Sequence, residues 1–235
     1  MLEPARDVGG DLYDFYLLDE RRLFFVVGDV SGKGLPASLF MVVTKALAKS
    51  VALRGAEGVA AIVAATGREL ARENPESLFV TLVAGILDTA SGEVELCNAG
   101  HDAQWKLGAG GTAEHVYVEG GPPLCVLDDF DYGATRLRLA PGETLCLITD
   151  GITEAMDAGG ALYGTGRFVA SLEKLGAGGT ARQAIDTVRA DVAIAGGRIA
   201  ALGDLAALES ARTLDCSGRI VTPGFIDIHS HADWL

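Results

Sequence analysis

Apolar and polar positions along the chain fall into stretches with distinct periods. Residues 21–29 (RRLFFVVGD) form an apolar run ending in Gly-Asp, the pattern of a buried strand. A turn, SGKG, follows. Pro36 then stands where a first helical turn tolerates proline. Over 36–53 the apolar residues Leu39, Val42, Val43, Ala46, Leu47 and Val51 recur at helical spacing. A second helix is predicted over about 57–73. Residues 78–87 (LFVTLVAGIL) and 93–98 (EVELCN) read as strands joined by a hairpin-type loop, 88–92 (DTASG). Further strands are expected near 103–107, 115–118, 134–139 and 144–149, with the glycine-rich 108–111 and 119–123 as loops. Helices are expected again at about 152–156, 165–175 and 180–190. Helices interspersed with antiparallel-looking strands imply an α+β layered sandwich.

Near residue 190 the character changes. Residues 191–235 read as short strands and turns, and no Gly/Ser/Pro linker precedes them. That is unusual for a natural domain boundary.

Composition narrows the classes of function. The chain has 235 residues, of which 49% are hydrophobic and 22% charged, a globular composition with ample core material. Its formal net charge is -13, from 32 acidic and 19 basic residues. That balance argues against electrostatic binding to nucleic acid or anionic lipid, and leaves carboxylates available for hard cations. No run of about 18 apolar residues appears, so no membrane span is expected. The first residues, MLEPAR, lack the layout of a signal peptide, and a cytoplasmic location is expected. Cys97, Cys125, Cys146 and Cys216 are widely separated and mostly within apolar runs. They read as small buried hydrophobes in a reducing compartment, and the lack of CxxC spacing argues against zinc.

Three short segments place an aspartate beside glycine: GGDLYD with Asp11 and Asp14, VGDVSGKG with Asp29, and ITDG with Asp150. In the second and third the aspartate ends an apolar run. A strand-terminal aspartate beside glycine can project its carboxylate into a cleft, and glycine lets backbone approach a ligand closely. Carboxylates converging on one point repel unless cations neutralise them, and Mg²⁺ or Mn²⁺ suits such oxygen donors. Taken singly, each aspartate beside glycine reads as an ordinary turn or cap residue, and only the three in combination and order point to a site.

In order, VGGDLYDF, FVVGDVSGKGLPASLFM, LFVTLVAGILDTASGEVELCNAGH, GGPPL and PGETLCLITDGITEA resemble the metal-dependent protein phosphatase superfamily. The resemblance is to its bacterial branch, typified by the sporulation stage II E phosphatase and the phosphatases of sigma-factor partner switching, and it covers about 4–190. It implies two antiparallel sheets flanked by helices, a four-layer α+β sandwich, with a two-metal Mn²⁺ or Mg²⁺ centre between the sheets. It also implies that Asp29 bridges both ions with the Val30 carbonyl as a possible further ligand, and that Asp11 and Asp150 complete the set. Asp14 is a weaker candidate that supports the ligands. The implied reaction is in-line attack by an activated water on phosphoserine or phosphothreonine, with no phosphoenzyme. The implied partner is a phosphorylated regulator of anti-anti-sigma type.

SGKG lacks the spacing of a nucleotide P-loop, so Ser31 and Lys33 read as turn and surface residues or as substrate contacts. His101 reads as a structural histidine at a strand end, as a residue supporting the ligands, or as a general acid. The family's closing Asp-Asp-aliphatic-Thr motif does not occur: the one Asp-Asp pair, Asp128-Asp129, precedes ITDG and is followed by Phe130. A catalytically inactive phosphatase fold that binds a partner is therefore the alternative.

Residues 191–235 (DVAIAGGRIAALGD, then RTLDCSGRIVTPGFIDIHSHAD) resemble the N-terminus of an amidohydrolase of D-aminoacylase or dihydroorotase type. In that superfamily the first barrel strand ends in His-x-His, here His229 and His231. Two imidazoles two residues apart on a strand face the same way and can share a metal such as Zn²⁺. The rest of the barrel is not in the chain, so amidohydrolase activity, the third hypothesis, is not expected. The expected division is a phosphatase domain over 1–190 and an amidohydrolase-like fragment over 191–235, joined by a fusion at about 190–193.

Overall fold

The computed structural model describes residues 10–55, 57–155, 160–176, 183, 191–195 and 198–203. His229, His231 and Cys216 lie outside the described residues, as does the helix expected at 180–190 apart from helical Gln183. The first sheet holds β1 (Leu12–Leu17), β2 (Arg22–Val30), β3 (Val80–Asp88) and β4 (Glu93–Ala99) in that order. The short strand β7 (Gly120–Gly121) and β8 (Thr135–Arg138) both pair with β4. The second sheet orders β6 (Ala113–Val116), β5 (Gln104–Leu107) and β9 (Thr144–Cys146). Helices α1 (Leu35–Leu53) and α2 (Val59–Arg72) follow β2, and α3 (Asp150–Thr153) and α4 (Gly164–Glu173) follow β9. β10 (Asp191–Ala195) and β11 (Arg198–Gly203) form a separate antiparallel hairpin, in keeping with the strand character read for that segment.

Alternation along β2 explains the layering. Phe24 and Val26 point to one face and pack with Ala37, Val51, Val59, Ile62 and Val63 of α1 and α2. Phe25 points to the other face and joins Val94, Leu96, Val116 and Leu145, which fill the space between the sheets. Beyond the second sheet, Phe168 and Leu172 of α4 pack with Trp105, Cys146 and Ile148. Helices, sheet, sheet and helix thus form the four-layer α+β sandwich expected.

The structure departs from the sequence reading in three places. Strand β1 was not expected, because LYDFYL mixes aromatics with Asp14 and lacks clean alternation. It forms by antiparallel pairing with β2, Leu12 opposite Gly28 and Leu17 opposite Leu23. As an edge strand it buries Leu12 and leaves Tyr13, Phe15 and Leu17 exposed. Residues 120–121, expected as loop, make a parallel pairing with Asn98 and Ala99, so the first sheet is not wholly antiparallel.

The third departure concerns α1. Only part of its apolar stripe is buried: Val51 is buried and Leu47 packs on the core, but Leu39, Val42, Val43 and Ala46 are exposed. Leu39 and Val42 are 58% and 56% exposed, whereas Ala37, Ser38, Thr44, Ala48, Val51 and Ala52 are buried. Small side chains let the helix backbone lie close to the sheet. The buried Ser38 and Thr44 hydroxyls donate within the helix to the Gly34 and Phe40 carbonyls, at 2.9 and 2.8 Å. By length and composition α1 is apolar enough to cross a membrane, which the sequence reading did not anticipate. Its small-residue face nonetheless packs in the helix–sheet core.

Candidate active site

Two strand ends and a helix start bring the predicted aspartates together. Asp11 immediately precedes β1, and Asp29 is the penultimate residue of β2, paired with Thr81 of β3. Asp150 begins α3, where Thr149 stands at the cap position in extended conformation. The Val30 N–H donates to the Gly10 carbonyl at 3.3 Å, which draws the Asp11 segment onto the end of β2.

The electrostatics report this convergence. Burial, then Asp29 and Asp150, push the Asp11 carboxyl up from 3.8 to about 7, and a hydrogen bond with Thr149 pulls against them. Burial and Asp150 likewise push Asp29 up to about 6, opposed by its hydrogen bond with the Val30 N–H. Like charges gathered out of water favour the protonated forms. Without a cation the cluster is under electrostatic strain.

The residues fit a hard divalent cation. The donors are carboxylate oxygens, and Gly10 keeps open the space beside them. A Cβ on Gly10 would stand 2.7 Å from the Val30 carbonyl oxygen and 3.0 Å from Asp29 Oδ1. Among the described residues, no three His, Cys, Asp or Glu side chains close tightly enough on one point to grip an ion in this conformation.

Asp14 lies apart from this group. Its Oδ1 accepts the Phe15 N–H at 2.9 Å, and its charge adds to burial in raising Tyr16. Ser31 acts structurally. Its N–H donates to the Phe79 carbonyl at 2.9 Å, and its hydroxyl accepts the Phe79 N–H at 2.8 Å. It ties the end of β2 to the residue preceding β3. His101 is buried, and burial pushes its ring down to about 4. Nδ1 meets the Thr81 hydroxyl at 3.1 Å, the ring lies against the Ile148 carbonyl, and Nε2 has no hydrogen-bond partner.

Sequence reading missed one carboxylate. Asp102 acts electrostatically on both Asp11 and Asp29, and is itself raised by burial, Asp150 and Glu154. It has no flanking glycine. Its one sequence signal is its position directly after the NAGH turn.

The thiols of the described residues are poor nucleophiles. Burial pushes Cys97 up to about 12, and Cys125 and Cys146 up to about 11. Cys97 is fully buried, as expected, while Cys125 and Cys146 are half-buried.

Comparison with known proteins gives this geometry a context. The sequence matches the family "Stage II sporulation protein E (SpoIIE)" over residues 19–206. It is 25% identical over 159 residues to phosphoserine phosphatase RsbU of Bacillus subtilis, covering 68% of this chain and 47% of that protein. It is also 62% identical over 47 residues to N-acyl-D-glutamate deacylase of Alcaligenes xylosoxydans xylosoxydans, covering 20% of this chain and 10% of that enzyme. The chain spans less than half the length of these curated relatives. The crystal structure of the RsbU and RsbW domains of a Mycobacterium tuberculosis protein superimposes with a TM-score of 0.66 at 29% identity, over 78% of this chain and 49% of that one. RsbX in complex with magnesium shares the fold, with a TM-score of 0.59 at 15% identity over 78% of this chain and 80% of that one.

Proposed function

The chain belongs to the Stage II sporulation protein E (SpoIIE) family, and from that premise we propose that it is a metal-dependent phosphoserine/phosphothreonine protein phosphatase. The observation that carries this reading is the junction of the Asp11 segment with the end of β2 that holds Asp29, where Gly10 packs on Val30 and where Asp11, Asp29 and Asp150 act on one another electrostatically. Bound there, two Mg²⁺ or Mn²⁺ ions would neutralise phosphoryl charge and acidify a water. Asp29 at the end of β2, with Asp11 and Asp150, would hold the ions. The Val30 carbonyl offers a further oxygen through the space that Gly10 leaves. The Thr149 hydroxyl restrains Asp11, which orients that carboxylate. With every described thiol raised well above neutrality, no cysteine is assigned a covalent role.

The substrate class we assign is a phosphorylated regulator of anti-anti-sigma type. RsbU, a relative that is itself named a phosphoserine phosphatase, supports that choice. We further assign the phosphatase domain to 1–190 and an amidohydrolase-like fragment to 191–235. The short deacylase match supports this division, although the SpoIIE match continues through to residue 206.

Hydrolysis of a phosphoserine peptide with and without Mn²⁺ tests the reading, with Asp29→Asn as control. Mn²⁺-dependent turnover abolished by the substitution is expected. A folded chain without turnover would favour the second reading, an inactive phosphatase fold that binds a partner. The absence of a tight trio of ligands among the described residues is the observation on that side.

A further inference from the structure

The turn between β4 and β5 fixes the backbone of His101. Asn98 Oδ1 accepts the His101 N–H at 2.7 Å, and Asn98 Nδ2 donates to the His101 carbonyl at 3.1 Å. Both residues are buried. Gly100, with φ of 70°, lets the chain turn against Pro123 and bridge to Leu82 of β3.

The ring held by this turn reaches two elements of the site. On one side Nδ1 lies 3.1 Å from Thr81 Oγ1. Thr81 stands opposite Asp29 in the register of β2 with β3, and its hydroxyl is 3.4 Å from the Asp29 carbonyl oxygen. On the other side the ring lies against the Ile148 carbonyl, two residues before Asp150. Ile148 is itself fixed, buried with Phe168 and Leu172 of α4. Among the described residues, the buried Nε2 has no hydrogen-bond partner of normal geometry.

The position of the ring proton follows from these neighbours. Burial pushes the ring down to about 4, so it is neutral at pH 7 and carries one proton. On Nδ1, that proton would leave an Nε2 lone pair facing the Ile148 carbonyl, out of reach of water. On Nε2, it faces the carbonyl. Nδ1 then accepts the Thr81 hydroxyl, for which it is a nearer acceptor than the Asp29 carbonyl.

We infer that His101, as the Nε2–H tautomer, is a positioning residue that bridges Thr81 to the Ile148–Asp150 segment and so fixes Asp150 relative to Asp29. This role rests on the metal-centre reading above and deepens it. Asp29 belongs to the first sheet, and Asp150 follows β9 of the second. The apolar layer of Phe25, Val94, Leu96 and Leu145 holds the two sheets together, but apolar contact is non-directional and does not fix their offset. A ring bonded at both ends does, because hydrogen bonds are directional. His101 thereby acts through the backbone on either side of it, without touching an ion or moving a proton in the reaction.

Calorimetric Mn²⁺ titration and denaturant unfolding of the full chain, run on the same variants, test the bridge. His101→Asn keeps a polar atom near the Nδ1 position but cannot reach Ile148, and Thr81→Val removes the hydroxyl at the other end. His101→Asn is expected to weaken Mn²⁺ binding at least about tenfold. Thr81→Val should weaken it too, and the double variant should lose no more than His101→Asn alone, because both break one link. Ile62→Ala, in the core face of α2, lowers stability away from the bridge and should keep Mn²⁺ affinity within about twofold of wild type. Nitrogen NMR of the metal-free protein at pH 7.5 should show the His101 proton on Nε2. A proton on Nδ1, or unchanged Mn²⁺ affinity in His101→Asn beside clear binding by wild type, overturns the bridge and leaves the metal centre standing. Affinity losses that merely track stability losses, Ile62→Ala included, overturn it as well and make His101 a structural residue. Absence of Mn²⁺ binding by folded wild-type protein overturns both readings. If His101→Asn does not fold, Thr81→Val decides, since it keeps the ring: unchanged affinity there overturns the bridge.

Discussion

Gly10 and Val30 approach so closely that a Cβ on Gly10 would lie 2.7 Å from the Val30 carbonyl oxygen. The contact is with backbone, which cannot swing away. Gly10→Ala should therefore displace the end of β2 or the Asp11 segment and cost about 1–3 kcal/mol of stability. The larger consequence falls on metal. Asp29 Oδ1 is only 3.0 Å from the same added carbon, so Mn²⁺ affinity should drop more than in a substitution of equal cost elsewhere. Urea unfolding and Mn²⁺ titration of the same variant check both parts, and wild-type affinity would remove Gly10 from the site.

Stability should depend on pH in an unusual direction when metal is absent. Asp11 and Asp29 titrate higher in the fold than their ordinary 3.8, at about 7 and about 6. The folded state therefore holds protons that the unfolded state releases between about pH 4 and 7. Stability from these groups is present below that window and is lost as pH rises through it, on the order of a few kcal/mol in total. Asp19, Asp88 and Glu143 are lowered and act in the opposite sense below the ordinary carboxylate range, and His101, pushed down to about 4, opposes the fall within the window, but two raised carboxylates outweigh one lowered imidazole. Calorimetry in EDTA should show the melting temperature falling from pH 5 to 7.5. Saturating Mn²⁺ should flatten that fall, because cations replace the protons. A melting temperature that rises with pH in EDTA would contradict the clustering of these carboxylates.

Asn98→Ala removes two hydrogen bonds to the His101 backbone inside a buried turn. Unpaired buried groups cost about 1–3 kcal/mol, and that loss should appear in denaturant unfolding. Turnover should fall further than stability alone explains, since the turn carries His101 and Asp102. Full activity in the folded variant would show that the turn tolerates displacement.

The two faces of α1 should respond oppositely to substitution. Val42→Ser, on the exposed apolar side, should change stability by less than about 0.5 kcal/mol. Ala48→Leu, where Ala48 is 3% exposed, should cost about 1–3 kcal/mol through overpacking. Paired unfolding curves decide the matter, and the reverse order would place the helix on its other face.

Much of this molecule is legible along the chain. The apolar run over 21–29 reads as a buried strand, and it is β2. The spacing over 36–53 defines α1, and the Asp-Gly pairs mark Asp29 and Asp150 at element ends. Those features are local: strand and helix periods, and glycine beside an acid, are set by neighbours in the chain. Which face of α1 is buried follows only from packing. Close approach to the sheet favours Ala37, Ala48 and Ala52 over bulkier Leu39 and Val42, a preference that no count of apolar positions contains. Strand β1 likewise exists because β2 offers it an edge, not because its own pattern alternates. Asp102 acts electrostatically on Asp11 and Asp29 because the turn after β4 folds toward the end of β2, where His101 meets Thr81. Charges eighteen to more than a hundred residues apart acquire their mutual repulsion, and so their affinity for a cation, only when the tertiary fold removes the water between them.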